Sequence, residues 1–276
     1  MNLGAGSLLP APFHKDAYMH IIVLNSGSNG NAVYVESAVS GAGVLLDCGI
    51  SRRQIEQRLK VHGRYLQHIR GVFVTHEHAD HVRGLPVLTR QLAIPTYMTE
   101  ATFRGMHRNK PYKGHRFIGY NEEVQVEDIH VTAYAKTHDA ADPVFFLVRI
   151  GKKRFLYATD LGEEAEELGR LLGLADAALL ESNYDESMLE NGPYPPYLKA
   201  RIRAAHGHLS NVQAMELLQR HANGRLRTII LGHLSENNNT PECVQKEVDL
   251  LFSRRTDFRP RVVIASRHTV GEILTI

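Results

Sequence analysis

The sequence predicts an α/β protein in which two sheets are covered by helices in one compact unit. Three observations lead there: strand-like runs dominate the first half, strands and helices alternate in the second, and no low-complexity linker or fixed-period repeat divides the chain. With 276 residues, 43% of them hydrophobic and 22% charged, the chain can bury a sizeable core, which excludes disordered, coiled-coil and collagen-like architectures.

The elements follow in order. Residues 1–18, MNLGAGSLLPAPFHKDAY, are expected to form a poorly ordered N-terminal extension, with the domain over 19–276. The extension lacks the basic start and continuous apolar run of a secretory signal. From Ile21, the runs IIVL, AVYVES and GAGVLLDCG, with the turn-rich Ser26–Asn31 between the first two, read as consecutive antiparallel strands. Ser51–His62 predicts a helix: Ser51 and Gln54 have capping-box spacing, Ile55 and Leu59 share a face, and Gly63 stops it. Ile69–Thr75 reads as a buried strand running straight into HEHADH. Further strands are expected at 124–127, 129–135, 144–149 and 155–158. An acidic helix with Glu163 and Glu164 in its first turn should follow TDLG, then the apolar strand AALLES. Ser210 and Gln213 open a helix to about His221, and Thr240-Pro241-Glu242 opens another with Val244, Val248 and Leu251 as its stripe. The strand RVVIAS follows near the end.

Composition narrows the function. The chain has no run near the roughly 18 apolar residues of a membrane span, so no membrane partner is expected. Two cysteines, Cys48 and Cys243, are too few for a disulfide framework and fit a reducing compartment, the cytoplasm. Net charge is only +2, but it is segregated: six Lys/Arg against one acid from Arg52 to Arg70, five against none from Arg104 to Arg116, and nine acids against one Arg from Glu163 to Glu190. Such segregation creates local fields without net charge, although solvated helix faces of one sign explain it equally well. The unusual count is histidine, sixteen residues, the side chain best suited to metal ligation and proton transfer near neutral pH.

The strongest signal is Thr75-His76-Glu77-His78-Ala79-Asp80-His81. Four potential ligands within six residues, where a buried strand gives way to a loop, can turn toward one point while the strand fixes their origin. One divalent ion accepts only some of them. With His76 and His78 on one ion, Asp80 and His81 are left for a second, so the pattern reads as a two-metal site. His138 in KTHDA, Asp160 in YATDLG and His233 in ILGHLS each follow a strand-like run and supply further candidate donors.

The order Asp47, His76-x-His78-x-Asp80-His81, His138, Asp160, His233 resembles the motifs of the metallo-β-lactamase superfamily from about Met19 onward. Within it, SGSNGN, LLDCGIS, THEHADH, THDA, ESNYD, GHLSN and LGHLSENNNTPE look most like the YycJ/WalJ group, regarded as DNA exonucleases. The resemblance implies an αββα sandwich, two mixed sheets flanked by helices. It implies that His76, His78 and His138 hold one divalent ion, zinc or manganese, that Asp80, His81 and His233 hold the other, and that Asp160 bridges them. Asp47 would be a carboxylate behind these groups, orienting the histidine loop. Only 73 positions separate Asp160 from His233, too few for a large inserted domain beside the strands and helix expected there.

Two ions about 3.5–4 Å apart can activate a bridging hydroxide and neutralise charge on a phosphodiester transition state. Asp80 and Asp160 are the carboxylates expected to take part, and His208 and His233 are candidates for protonating the leaving oxygen. His208, Ser210 and Asn183 are candidate substrate contacts: GHLSN opens a helix whose free N–H groups suit a phosphate, although plain capping explains Ser210 equally. Basic and aromatic residues interleave in Phe103–Phe117 and Tyr194–Arg203, a pattern that can track phosphates and stack bases, or that of basic surface loops. The function expected is a 5′-to-3′ DNA exonuclease, with DNA as partner. The same ligands would serve an RNA 3′-processing ribonuclease, a cyclic phosphodiesterase or a thioester or lactone hydrolase. A metal-stabilised DNA-binding protein would need less than this donor set.

Overall fold

The computed structural model describes residues 18–106 and 114–276. The expected extension, apart from Tyr18, and residues 107–113 of the Phe103–Phe117 stretch lie outside them. In chain order the elements are β1 (Met19–Asn25), β2 (Ala32–Ser37), β3 (Gly43–Leu46), α1 (Arg52–Val61), β4 (Ile69–Phe73), α2 (Ala79–Val82), α3 (Leu85–Leu92), β5 (Thr96–Met98), α4 (Glu100–Met106) and β6 (His115–Phe117). Then follow β7 (Glu123–Val126), β8 (Ile129–Ala135), β9 (Val144–Ile150), β10 (Lys153–Ala158), α5 (Glu166–Leu172), β11 (Ala177–Glu181), α6 (Glu186–Asn191), α7 (Pro196–Arg203), α8 (Asn211–His221), β12 (Thr228–Gly232), α9 (Pro241–Arg254), β13 (Arg261–Ile264) and β14 (Leu274–Thr275).

Two seven-stranded sheets result, ordered β14-β1-β2-β3-β4-β5-β6 and β13-β12-β11-β10-β9-β8-β7. Each is mixed. In the first, β14, β1, β2 and β3 pair antiparallel and β3 to β6 parallel. In the second, β7 to β10 pair antiparallel and β10 to β13 parallel. The sheets face each other across a core that includes Phe73, Phe146, Tyr157, Leu179 and Ile230. A second cluster fills the space between the second sheet and α5, α8 and α9, and a third lies under α1 and α3 on the first sheet. Because both faces of each sheet are covered, central strands such as β2, β3 and β11 are buried at every residue and show no polar alternation.

Both capping boxes form. Ser51 accepts from the Gln54 N–H to open α1, and Ser210 accepts from the Gln213 N–H to open α8. The acidic helix starts later than its charge pattern suggests: Glu166 and Glu167 occupy the first turn of α5, and Glu163 and Glu164 precede it. The intervening chain is committed elsewhere. Gly162 donates to the Thr137 carbonyl and lies so close to Ala205 that an added Cβ would stand 2.0 Å from its oxygen, while Glu164 pairs with His221 at 2.6 Å. The Tyr194–Arg203 stretch largely forms a helix, α7.

Candidate metal centre

Six strand ends meet at one edge of the sandwich. Asp47 follows β3 and the His76–His81 loop follows β4, both in the first sheet; His138 follows β8, Asp160 follows β10, Glu181 ends β11 and His233 follows β12, all in the second. Register keeps the second set level, since Ala158 pairs with Leu180 and Glu181 with Gly232. In open α/β sheets the carboxyl ends of parallel strands are where ligands bind. Asp47, Asp160 and His233 turn out of their strands with φ of 59°, 54° and 58°. Non-glycine residues seldom adopt this left-handed conformation, and its concentration at one edge marks a functional site.

Backbone contacts hold the histidine loop. The Asn31 N–H donates to the Asp80 carbonyl at 2.7 Å, the Cys48 N–H to the His81 carbonyl at 2.7 Å, and the Gly49 N–H to the Asn31 carbonyl at 2.8 Å. Gly49 is required by this approach, because a Cβ there would stand 1.6 Å from the Asp80 oxygen. The SGSNGN and LLDCG runs therefore serve as struts for the loop.

Hydrogen bonds at Nδ1 fix the rings. His76 Nδ1 lies 2.9 Å from the Thr75 hydroxyl, His81 Nδ1 2.7 Å from Asp47, His138 Nδ1 3.1 Å from the Gly207 carbonyl and His233 Nδ1 2.8 Å from Glu181. With Nδ1 engaged, Nε2 is left for the centre. Nε2 of His76, His138 and His233, and Oδ2 of Asp160, are buried without a well-formed hydrogen bond, their nearest polar neighbours being other acids and rings of the same cluster. Buried polar atoms are normally well paired, so four poorly satisfied ones in one cluster suit the ligands of a cation. His81 Nε2 differs: it lies 3.0 Å from Asp160 Oδ2 and 3.1 Å from Asn31 Nδ2. Donor atoms of His76, His78 and His138 lie within 4.8 Å of one another, as do those of Asp80, His81 and His233, of His76, His81 and Asp160, and of Asp160, Glu181, His208 and His233. Every residue expected as a ligand is thus in the cluster.

The metal-free electrostatics have the same form. Burial works against the charge on Asp160, but His233 and His81 beside it hold its carboxyl well below the usual range. Asp80 is likewise held low against burial, chiefly by His81, with His233 Nε2 close by at 3.6 Å from its Oδ2. Burial opposes protonation of His81 and His233; the carboxylates win, holding His81 well above its usual value and pushing His233 up to about 10. Two retained protons thus stand where a cation would balance the carboxylates. Burial lowers His76 strongly and His138 to about 4, leaving both neutral.

Two carboxylates stand behind the rings. Asp47 accepts from the Thr75 N–H at 2.8 Å, His81 Nδ1 at 2.7 Å and the Tyr157 hydroxyl at 2.9 Å. Glu181 is its counterpart in the second sheet, with Oε1 2.8 Å from Nδ1 of both His233 and His208, and Oε2 accepting from the Leu161 and Leu209 N–H groups. Burial opposes the charge of Glu181, but His208 and His233 hold its pKa down to about 2. Sequence reasoning assigned Asp47 and missed Glu181, although an acid closing an apolar strand has the same placement as the residues it singled out. It also missed buried Lys136, whose Nζ donates to the Thr159 carbonyl at 2.6 Å, next to Asp160.

The centre opens into a cleft of about 220 Å³ whose lining includes His78, Asp80, His138, Asp160, His208 and His233. Asn183 also lines it, with its amide donating to the His233 carbonyl at 2.8 Å. Ser210 does not: it is fully buried, and its hydroxyl caps α8, so capping accounts for it.

The sequence matches the β-lactamase superfamily domain over residues 43–233. The chain belongs to the metallo-β-lactamase superfamily. Membership makes it a metal-dependent hydrolase. It is 31% identical to the exodeoxyribonuclease YycJ of Bacillus anthracis over 240 residues, covering 86% of this chain and 90% of the relative. It is 33% identical to the exodeoxyribonuclease WalJ of Streptococcus pneumoniae over 226 residues, covering 80% and 83%. The metallo-β-lactamase fold protein YhfI of Bacillus subtilis superposes with a TM-score of 0.70 at 15% identity, covering 95% of this chain and all of that one, which bears on fold alone. Among the described residues, no helix is long and apolar enough to cross a membrane.

Proposed function

We propose that this hydrolase is a dinuclear phosphodiesterase acting on DNA, working as a cytoplasmic 5′-to-3′ exonuclease. The observation that carries this assignment is the clustering of buried donor atoms of His76, His138, His233 and Asp160, none with a well-formed hydrogen bond, beside an open cleft. The identity with two exodeoxyribonucleases supports DNA as substrate. In this reading His76, His78 and His138 hold one divalent ion, zinc or manganese; Asp80, His81 and His233 hold the second; and Asp160 is shared. When bound, such ions supply Lewis acidity toward phosphoryl oxygens and a nucleophile from water near neutral pH.

The chain's own groups do the rest. Asp47 and Glu181 fix the tautomers of His81 and His233 through Nδ1, so that Nε2 carries the lone pair. Asp80 lines the cleft, where it can orient the attacking water. His208 has Nδ1 on Glu181 and its ring in the cleft wall; in the doubly protonated form, whose charge Glu181 would balance, it can pass the Nε2 proton to the departing oxygen. Asn183 steadies the turn carrying His233.

Digestion of 5′- and 3′-labelled DNA and RNA by the wild type and Asp80→Ala, with zinc or manganese present, tests the assignment. The wild type should degrade DNA from the 5′ end. Asp80→Ala should lose more than the roughly 100-fold typical of altering a group behind the ligands. Cleavage of RNA alone, or an Asp80→Ala protein as active as the wild type, would count against it.

A further inference from the structure

Part of the cleft wall is built by Tyr194, Leu198, Arg201 and Ile202. Their spacing places them on one face of α7 and the turn before it. This wall has its own small apolar cluster, in which Leu198 and Tyr194 pack against Tyr184, Leu189 and Ile202. The Tyr194 hydroxyl is further tied to Asn237 Nδ2 at 3.0 Å. α7 carries Lys199, Arg201 and Arg203 and no acid. Lys199 reaches the Glu190 carbonyl and Arg203 pairs with the Glu190 carboxylate, which leaves Arg201 as the cation of this helix in the cleft lining.

Arg201 Nε donates to Asp139 Oδ2 at 2.7 Å, and the other oxygen of Asp139 lies 3.3 Å from His138 Nε2. A single carboxylate therefore separates this guanidinium from the candidate metal centre. Nη2 reaches the same Asp139 oxygen, and with its side chain 62% exposed the guanidinium keeps Nη1 for a phosphate. Tyr197 precedes Arg201 by one helical turn on the same side. At 75% exposure it is the most exposed large apolar residue among the described residues, on a helix whose Leu198 and Ile202 pack into the apolar cluster of the wall.

We propose that α7 is the surface that grips the DNA strand, with Tyr197 stacking on a base and Arg201 pairing with the phosphate next to the one being cut. The proposal rests on the phosphodiesterase reading of the same cleft and adds which wall recognises the strand. An aromatic platform beside a cation is how single strands are held with little dependence on sequence.

The test is binding of a fluorescein-labelled single-stranded oligonucleotide by anisotropy, for the wild type, Tyr197→Ala, Tyr197→Phe and Arg201→Gln. It is paired with turnover of that oligonucleotide and of bis(p-nitrophenyl) phosphate, a diester with neither base nor neighbouring phosphate. Tyr197→Ala should weaken binding about fivefold or more, and Tyr197→Phe should restore it. Arg201→Gln should weaken binding and flatten its salt dependence. Both losses should appear in KM for the oligonucleotide more than in kcat and should lower the ratio of oligonucleotide to small-diester turnover. Unchanged oligonucleotide affinity in Tyr197→Ala would overturn the proposal, as would equal losses on both substrates. Tyr197-dependent binding by a wild type that cleaves no phosphodiester would overturn the catalytic assignment while supporting the strand-binding wall.

Discussion

The first sheet delivers its part of the centre in one stretch, Thr75 to His81, whereas the second assembles its part from four strand ends between His138 and His233. The two halves nevertheless use the same device. Behind His81 stands buried Asp47; behind His233 and His208 stands buried Glu181. They differ in what faces the cleft. Asp47 serves a ring that is fully buried, while Glu181 also holds His208, which lines the open side. On the proposed reading, the backing carboxylate of the first half serves a candidate metal ligand alone, and that of the second serves a candidate ligand and a ring at the cleft.

That contrast breaks most sharply on Asp47→Asn and Glu181→Gln. Each variant leaves one oxygen as acceptor and should lower metal affinity by about 10- to 100-fold. Titrating metal back should restore the kcat of Asp47→Asn. Glu181→Gln should recover only in part, because His208 has lost its partner as well. Equal recovery of the two would mean that His208 plays no part in the reaction and that the halves are equivalent.

A smaller effect sharpens the comparison at the two capping boxes, one beside each half. Ser51→Ala and Ser210→Ala should each lower stability by about 1 kcal/mol, seen as a melting-temperature drop of about 2–4 °C for a domain of this size. Neither should change KM for DNA. A raised KM in Ser210→Ala would return its hydroxyl to the substrate contacts.

The same difference explains what could be read from the sequence. A contiguous His-x-His-x-Asp-His run after an apolar strand carries its meaning locally, and Asp47 shares the first sheet with it. His138, Asp160 and His233 became interpretable through their placement at strand ends and a resemblance in order. Glu181 stayed hidden because one acid after AALL is equally a solvated strand end; only register, with Glu181 level with Gly232, brings it beside His233. Long strands and capped helices were legible through period and capping chemistry. The short strands β5, β6 and β14, of three, three and two residues, carry too little pattern to declare themselves. Helix α5 begins three residues beyond the first acids because Gly162 is held by Thr137 and packs against Ala205, contacts distant in sequence.

The most direct measurement is the metal content of the reconstituted protein, taken for the wild type, His76→Ala and His233→Ala. Two ions per chain are expected in the wild type, with one site weakened in each variant: the site of His78 and His138 in the first, and that of Asp80 and His81 in the second. A wild type that binds one ion or none, or two variants that retain the full complement, would contradict a centre shared between the sheets.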